Sequence, residues 1–250
     1  MRQETPKNFK LVIEYDGSAY HGWQRQKHHP TVQEKIEKAL HTMTGEIIIL
    51  NGSGRTDAGV HALGQVANFK CPTALTPPVF LKGLNSLLPD DIVITSCEQT
   101  DIKFHARFDA KSKTYRYCIL NREIPSAVNR QYAWFVRRHL NVDEMKKGAA
   151  HMIGTHDFKS FEKTGSPRPH TIRTVMKVDL IIKDDAHIFI DVEANGFLRC
   201  MVRNMVGTLV CVGSAKLTAE DIIRIIRSKN RKLAGPTAPA HGLFLKQVYY

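Results

Sequence analysis

The order in which strand-like and helix-like stretches alternate restricts the fold of this chain more than its composition does. "FKLVIEYD" (Phe9–Asp16) reads as a strand. "TVQEKIEKALHTMTG" follows, with Val32, Ile36, Leu40 and Met43 as an apolar stripe at helical spacing. Thr31 with Glu34 forms a capping box, and Gly45 is the stop. "EIIIL" (Glu46–Leu50) predicts a short buried strand, "GQVANF" another, "PVFLKGLNSLL" a helix and "DIVITSCEQ" an alternating strand. That order, β-α-β-β-α-β, is the split βαβ arrangement. The rest repeats the theme loosely: strands at "KTYRYCIL" and "YAWFVRR", then a helix over "VDEMKKGAAHMIG" capped by Asn141. Strands "TVMKVDLIIK" and "HIFIDVEAN" come next, then a long helix "FLRCMVRNMVGTLVCVG", "TAEDIIRIIRSKN" and a closing strand "GLFLKQVYY". Two α+β halves of related topology are expected, meeting between Thr100 and Asp109.

At 250 residues, 42% hydrophobic and 24% charged, the chain can bury a real core and reads as soluble and globular. The opening "MRQETPKNFK" is polar, unlike a secretory signal, and no apolar stretch is long enough to cross a bilayer. A cytoplasmic protein without membrane partners is expected. Cys71, Cys97, Cys118, Cys200 and Cys211 are odd in number and scattered, which predicts reduced, mostly buried thiols. His28-His29, and His151 with His156, lack ligand spacing, so no metal is expected. Charge is more telling. Residues 1–100 hold 10 Lys+Arg against 10 Asp+Glu, whereas residues 101–250 hold 26 against 14 and carry the whole net +12. Such asymmetry predicts a polyanionic partner, most often nucleic acid.

"NGSGRTDAGVHALGQVANF" (Asn51–Phe69) concentrates glycine, arginine and aspartate before an apolar run. It is no Walker A loop, because no G-K-[ST] follows, and the third glycine of a dinucleotide fingerprint would fall on Asp57. Gly52, Gly54 and Gly59 permit close backbone approach. Arg55 is placed to pair with Asp57 and keep it ionised, as a nucleophile requires. Taken in isolation, the loop reads first as a tight turn in which Asp57 is a turn or cap residue.

The stretch "GSGRTDAGVHALGQVANF" resembles the signature of the TruA-type tRNA pseudouridine synthases, whose aspartate in G-R-T-D-A-G-V-H-A is catalytic. "IEYDGSAYHGWQRQ", "FHARFDAKSKTYRYCI", "HDFKSF", "NGFLRCMVRNMVG" and "APAHGLFL" resemble that family's other segments in order, from about Phe9 to Leu245. The resemblance implies two ferredoxin-like, RRM-like halves, residues 1–105 and 106–250. These would share an extended, mostly antiparallel sheet with helices on one face and a central cleft holding Asp57. It implies uridine-to-pseudouridine isomerisation at tRNA positions 38, 39 and 40 of the anticodon arm, by a homodimer. An isomerisation has no electron change and no group donor, so no cofactor is expected.

The same resemblance makes Asp57 the nucleophile, at C1′ of the ribose or C6 of the uracil. Arg55 props the space left by the everted base, and Tyr115 stacks on the uracil and takes the C5 proton. Arg199, and Arg203 four residues on along the expected helix, serve phosphates or the carboxylate. Leu243 walls the base from below, and His61 braces the loop, with a general-base role as the alternative. Read without the resemblance, Tyr115 is a core residue sharing a strand face with Tyr117, Leu243 is core packing, and the two arginines are a solvated face. Lys111, Lys113, Arg116, Arg137, Arg138, Lys163, Arg168, Arg173, Lys229, Arg231 and Lys232 form the expected RNA surface. The rival is a non-catalytic RNA-binding protein of ferredoxin-like topology, weakened by the absence of an RNP1 pattern.

Overall fold

The computed structural model describes residues 5–163, 165, 170–184 and 186–250. Arg168, one of the expected RNA contacts, lies outside the described residues. The chain divides into two compact units: Met1–Lys111 with Leu245–Tyr250, and Ser112–Phe244. No helix among the described residues is long and apolar enough to cross a membrane.

The first unit runs β1 (Lys7–Tyr15), α1 (Val32–Thr44), β2 (Asn51–Gly52), β3 (His61–Cys71), α2 (Pro77–Leu87) and β4 (Ile92–Thr100). β1 lies antiparallel between β3 and β4, and β2 pairs antiparallel with β3 at Ala67–Asn68. The order β4-β1-β3-β2 is that of a split βαβ unit. β2 is only a stub, and β3 is also flanked by β10 (Leu243–Tyr249), which returns from the end of the chain. Phe9, Phe69 and Phe80 form the centre of the core, with ring centroids 4.7–5.2 Å apart. Each is fully buried, at about 1.5–3 kcal/mol of transfer free energy per side chain.

α1 begins where the capping box predicts, with the Glu34 N–H donating to Thr31 Oγ1, and ends on Gly45 at φ 73°. The strand expected over Glu46–Leu50 does not form. Ile48 and Leu50 point inward, but Ile47 and Ile49 are 90% and 65% exposed. The reason is polar: two buried α1 side chains take the backbone groups that a neighbouring strand would have taken. Glu37 accepts from the Leu50 N–H at 3.0 Å, and Gln33 donates to the Leu50 carbonyl at 3.0 Å.

The second unit orders β6 (Trp134–Val136), β5 (Ser112–Asn121), β9 (His187–Ala194), β8 (Ile172–Lys183) and β7 (Gly154–Asp157). All pairs are antiparallel except β5 with β6. Tyr117, Ile119, Ile190 and Val192 are fully or almost fully buried. α3 (Val142–Ala150) packs on α4 (Met201–Gly213), and α5 (Asp221–Ser228) buries Ile222, Ile225 and Ile226. Two expected helices are shorter than their apolar patterns. α3 stops at Ala150, and the Gly154 that was to end it instead starts β7 at φ 112°. α4 starts only at Met201, because Cys200 takes a left-handed φ of 59°. Cys71 and Cys118 are buried and the other three cysteines half-buried, a weaker burial than expected; no disulfide links them.

Candidate active site

In the first unit the loop between β2 and β3 carries Arg55 and Asp57, His61 opens β3, and hydrogen bonds tie the loop to its own sheet and to the segment after β1. Asp57 to Val60 is a β-turn closed by the Val60 N–H on the Asp57 carbonyl, with Gly59 third at φ 74°. A type II turn requires that sign of φ at that position. Thr56 is buried, and its hydroxyl lies 2.8 Å from the hydroxyl of buried Tyr15 at the end of β1. Burial raises the Tyr15 pKa, so the phenol stays neutral. The Thr56 carbonyl accepts from the Trp23 N–H at 3.2 Å. Gly22 packs against that carbonyl so closely that a Cβ would stand 2.4 Å from it. On the other side, Ser53 donates to Gln65, whose amide donates to the Gly54 carbonyl at 3.0 Å.

His61 is buried at the start of β3, and its Nδ1 accepts the Gly17 N–H at 3.0 Å. Asp16 Oδ1 also lies 3.0 Å from that nitrogen. One ring nitrogen cannot both accept from an amide and donate to a carboxylate. The tautomer decides which of the two contacts is the hydrogen bond, and both fix the ring against the segment after β1. This is the geometry of a brace. Asp57 is half-buried and Arg55 exposed. The expected Arg55–Asp57 ion pair is not formed, and Arg55 has no ion-pair partner among the described residues. An exposed pair is worth only about 0–1 kcal/mol, too little to hold a long side chain against its own entropy and hydration.

In the second unit Tyr115 sits on β5 opposite Val192, buried, with its ring edge-on to Phe197 at 5.0 Å. Tyr117 shares its face but is core, donating from its hydroxyl to the Pro239 carbonyl at 2.8 Å. Arg199 and Arg203 do not share a helical face: Arg199 is exposed in the turn before α4, and Arg203 is half-buried in the first turn of α4. The Arg203 Nε donates to the Ala238 carbonyl at 2.7 Å, and the Ala238 N–H returns a bond to the Arg203 carbonyl. Leu243 opens β10 and is buried. Ala238 and Pro239 thus tie three separate sequence stretches together, "TYRYCI", "NGFLRCMVRNMVG" and "APAHGLFL".

Not every expected RNA contact is available. Arg116 is held by both oxygens of Asp191 at 2.7 and 2.8 Å, and Lys229 pairs with Asp157 at 3.0 Å. Arg231 is turned inward on carbonyls. Lys111, Arg137, Arg138, Lys163 and Lys232 are exposed. Among the described residues no three His, Cys, Asp or Glu cluster closely enough to hold a metal ion. Sequence reasoning assigned no role to Tyr15, Gly22, Trp23, Thr56 or Gln65, which shape the Asp57 loop, or to Phe197 against Tyr115. The first three lie in "IEYDGSAYHGWQ", where a strand ending directly in a glycine- and aromatic-rich turn was the available signal.

Comparison with known proteins matches both units. The family model described as tRNA pseudouridine synthase matches residues 11–109 and 149–250. The "tRNA pseudouridine synthase A" of a Thermoanaerobacter species is 49% identical over 98% of this chain and 100% of its own length. Those of Acetivibrio thermocellus and Clostridium acetobutylicum are 48% and 46% identical over the same shares. Among solved structures, a Cbf5-Nop10-Gar1 complex overlays at a TM-score of 0.37 and 11% identity, covering 81% of this chain and 44% of that one, too loosely to inform the fold. With a family model spanning most of its length and near-half identity to full-length relatives, the chain belongs to the tRNA pseudouridine synthase family.

Proposed function

We propose that Asp57 is the nucleophile of the uridine-to-pseudouridine isomerisation that defines this family. The observation that carries the reading is the G-R-T-D-A-G-V-H loop, in which a half-buried aspartate follows a threonine locked to the β1 tyrosine. A carboxylate fixed by its backbone is already placed when the base arrives, so little ordering entropy remains to be lost. The reaction breaks the N1–C1′ bond, turns the uracil, joins C5 to C1′ and moves the C5 proton. Asp57 serves by attack at C1′ or at C6, and either route returns the carboxylate unchanged. Extruding the base from its stack costs a few kcal/mol.

Exposed, unpaired Arg55 is available to fill the vacated space or to take a phosphate. Tyr115 stacks on the uracil and takes the C5 proton, and Leu243 packs beneath the base. Arg199 and Arg203 face phosphate or carboxylate, and His61 holds the loop. Action on positions 38, 39 and 40 of the anticodon arm and work as a homodimer rest on the family resemblance, and a cytoplasmic location goes with a tRNA substrate. An Asp57→Asn variant tests the assignment through tritium release from tRNA labelled at uridine C5. Loss of release with tRNA binding retained is the expected result; turnover within tenfold of the parent protein would remove Asp57 from the role.

A further inference from the structure

The second unit contains a basic pocket in which the reading above gives a task to Arg203 alone. Its volume is about 640 Å³, and Lys163, Cys200, Arg203, Arg231, Lys232 and residues 234–237 line it. Four lining side chains are cationic, and none is a carboxylate.

Arg231 shows what the pocket lacks. Its half-buried guanidinium donates to the carbonyls of Ala234 and Gly235 at 3.2 and 2.8 Å, to Asn204 Oδ1 at 2.9 Å and to Thr237 Oγ1 at 3.0 Å. All four acceptors are neutral. The hydrogen bonds are satisfied while the charge is left without a counter-ion, and burial lowers the pKa of the group. A cation partly removed from water is stabilised by any anion admitted beside it. Lys163 and Lys232 are exposed, and among the described residues neither ammonium has a hydrogen bond or an ion pair. The wall between them is stiff. Gly235 donates its N–H to Thr208 Oγ1, and a Cβ there would stand 2.6 Å from the Gly207 carbonyl. The pocket also adjoins Arg199, whose carbonyl accepts the Lys163 N–H at 3.0 Å.

We propose that this pocket holds a backbone phosphodiester of the tRNA substrate, contacted directly by Lys163 and Lys232, with Arg231 as a fixed positive charge behind them. The inference rests on the tRNA-modifying activity above and adds a defined contact that positions the RNA without reading its sequence. It also separates the basic residues into two kinds: two lysines that meet phosphate, and one arginine whose hydrogen bonds are already committed to the fold.

The test is the salt dependence of tRNA binding by the full-length protein carrying Lys163→Gln and Lys232→Gln, singly and together. Each phosphate contact contributes a slope of about 0.9 in log K against log salt, or about 0.7 on single-stranded RNA. Either single variant should therefore flatten the slope in part, and the double variant, which leaves that one phosphodiester without a lysine, by about 0.7–0.9. KM for tRNA should rise with kcat kept at saturating tRNA, and a Lys163→Arg, Lys232→Arg protein should restore the slope. An unchanged slope in the double variant overturns the proposal, as does a fall in kcat with KM unchanged. Inorganic phosphate provides the other arm. If thermal protection by phosphate is lost in the double variant while its tRNA slope is intact, the pocket takes small anions only, which also overturns the proposal. Binding slopes are read without turnover, so an inactive parent protein would count against the activity and leave this reading to be judged separately.

Discussion

Gly22→Ala should disable the enzyme through a single methyl group that touches no substrate. Gly22 has φ 91°, where an alanine costs about 1–2 kcal/mol, and its Cβ would sit 2.4 Å from the Thr56 carbonyl oxygen. An ordinary contact needs roughly 3.4 Å, so that carbonyl must retreat by about 1 Å, one residue before Asp57. A displacement of about 1 Å at a reacting group can cost on the order of a hundredfold in rate. The Trp23 N–H bond to the same carbonyl is pulled with it. The matched control is Gly45→Ala, at φ 73° in the cap of α1, where an added Cβ meets nothing within 4 Å. That control carries the dihedral cost alone, about 2–8 °C in Tm at roughly 2–4 °C per kcal/mol, with kcat unchanged. Gly22→Ala should melt at least as low and lose about ten- to a hundredfold in tritium release, with tRNA binding kept. The reasoning is refuted if kcat for Gly22→Ala stays within twofold of the parent while its Tm falls like that of the control, because the strain would then not reach Asp57.

Tyr15→Phe and Thr56→Val each remove one hydroxyl of a buried pair; the phenol keeps Gln65 as a second partner, so Thr56→Val should cost about 0.5–1.5 kcal/mol, with the double variant falling short of the sum by about 0.5–1 kcal/mol in urea unfolding. Additivity within about 0.3 kcal/mol would mean that the two groups do not interact. For Asp157, burial pushes the carboxyl pKa up, but bonds from the Thr171 hydroxyl, the Lys229 ammonium and the Lys159 N–H outweigh it and hold the group below the usual carboxylate range. Its stabilisation is therefore present above about pH 4 and is lost as pH falls through the depressed pKa. Asp157→Asn should lower Tm by about 2–4 °C at pH 7, and melting curves of the two proteins should converge as the medium is acidified. A gap that widens in acid would reverse the sign of that assignment.

Much of the fold was legible because hydrophobic period and cap residues are local. Thr31, Glu34 and Gly45 bounded α1, and Asn141 started α3, without knowledge of anything distant. Failures came where a distant or dihedral term outweighed the local pattern. "EIIIL" has every property of a buried strand, yet Gln33 and Glu37 take its backbone groups. "FLRC" continues the apolar pattern of α4, yet Cys200 turns left-handed and leaves Arg199 outside the helix. Arg55 and Asp57 stand two apart in sequence, but proximity along the chain does not supply the free energy to hold a surface ion pair.

What the chain determined by itself was the inventory of parts: the order of strands and helices, the excess charge after residue 100, and a loop whose residue types match one family's signature. Those depend on residue identity at short range, where periodicity and turn chemistry operate. What only the tertiary structure decided was which groups are already spent. Arg116 is neutralised by Asp191 across a strand pair, and Arg231 is bonded to the fold while Lys232 beside it is not. The last strand also rejoins the unit that began the chain. Such pairings span tens to hundreds of residues, and their free energy comes from desolvation and geometry that exist only once the chain has closed on itself.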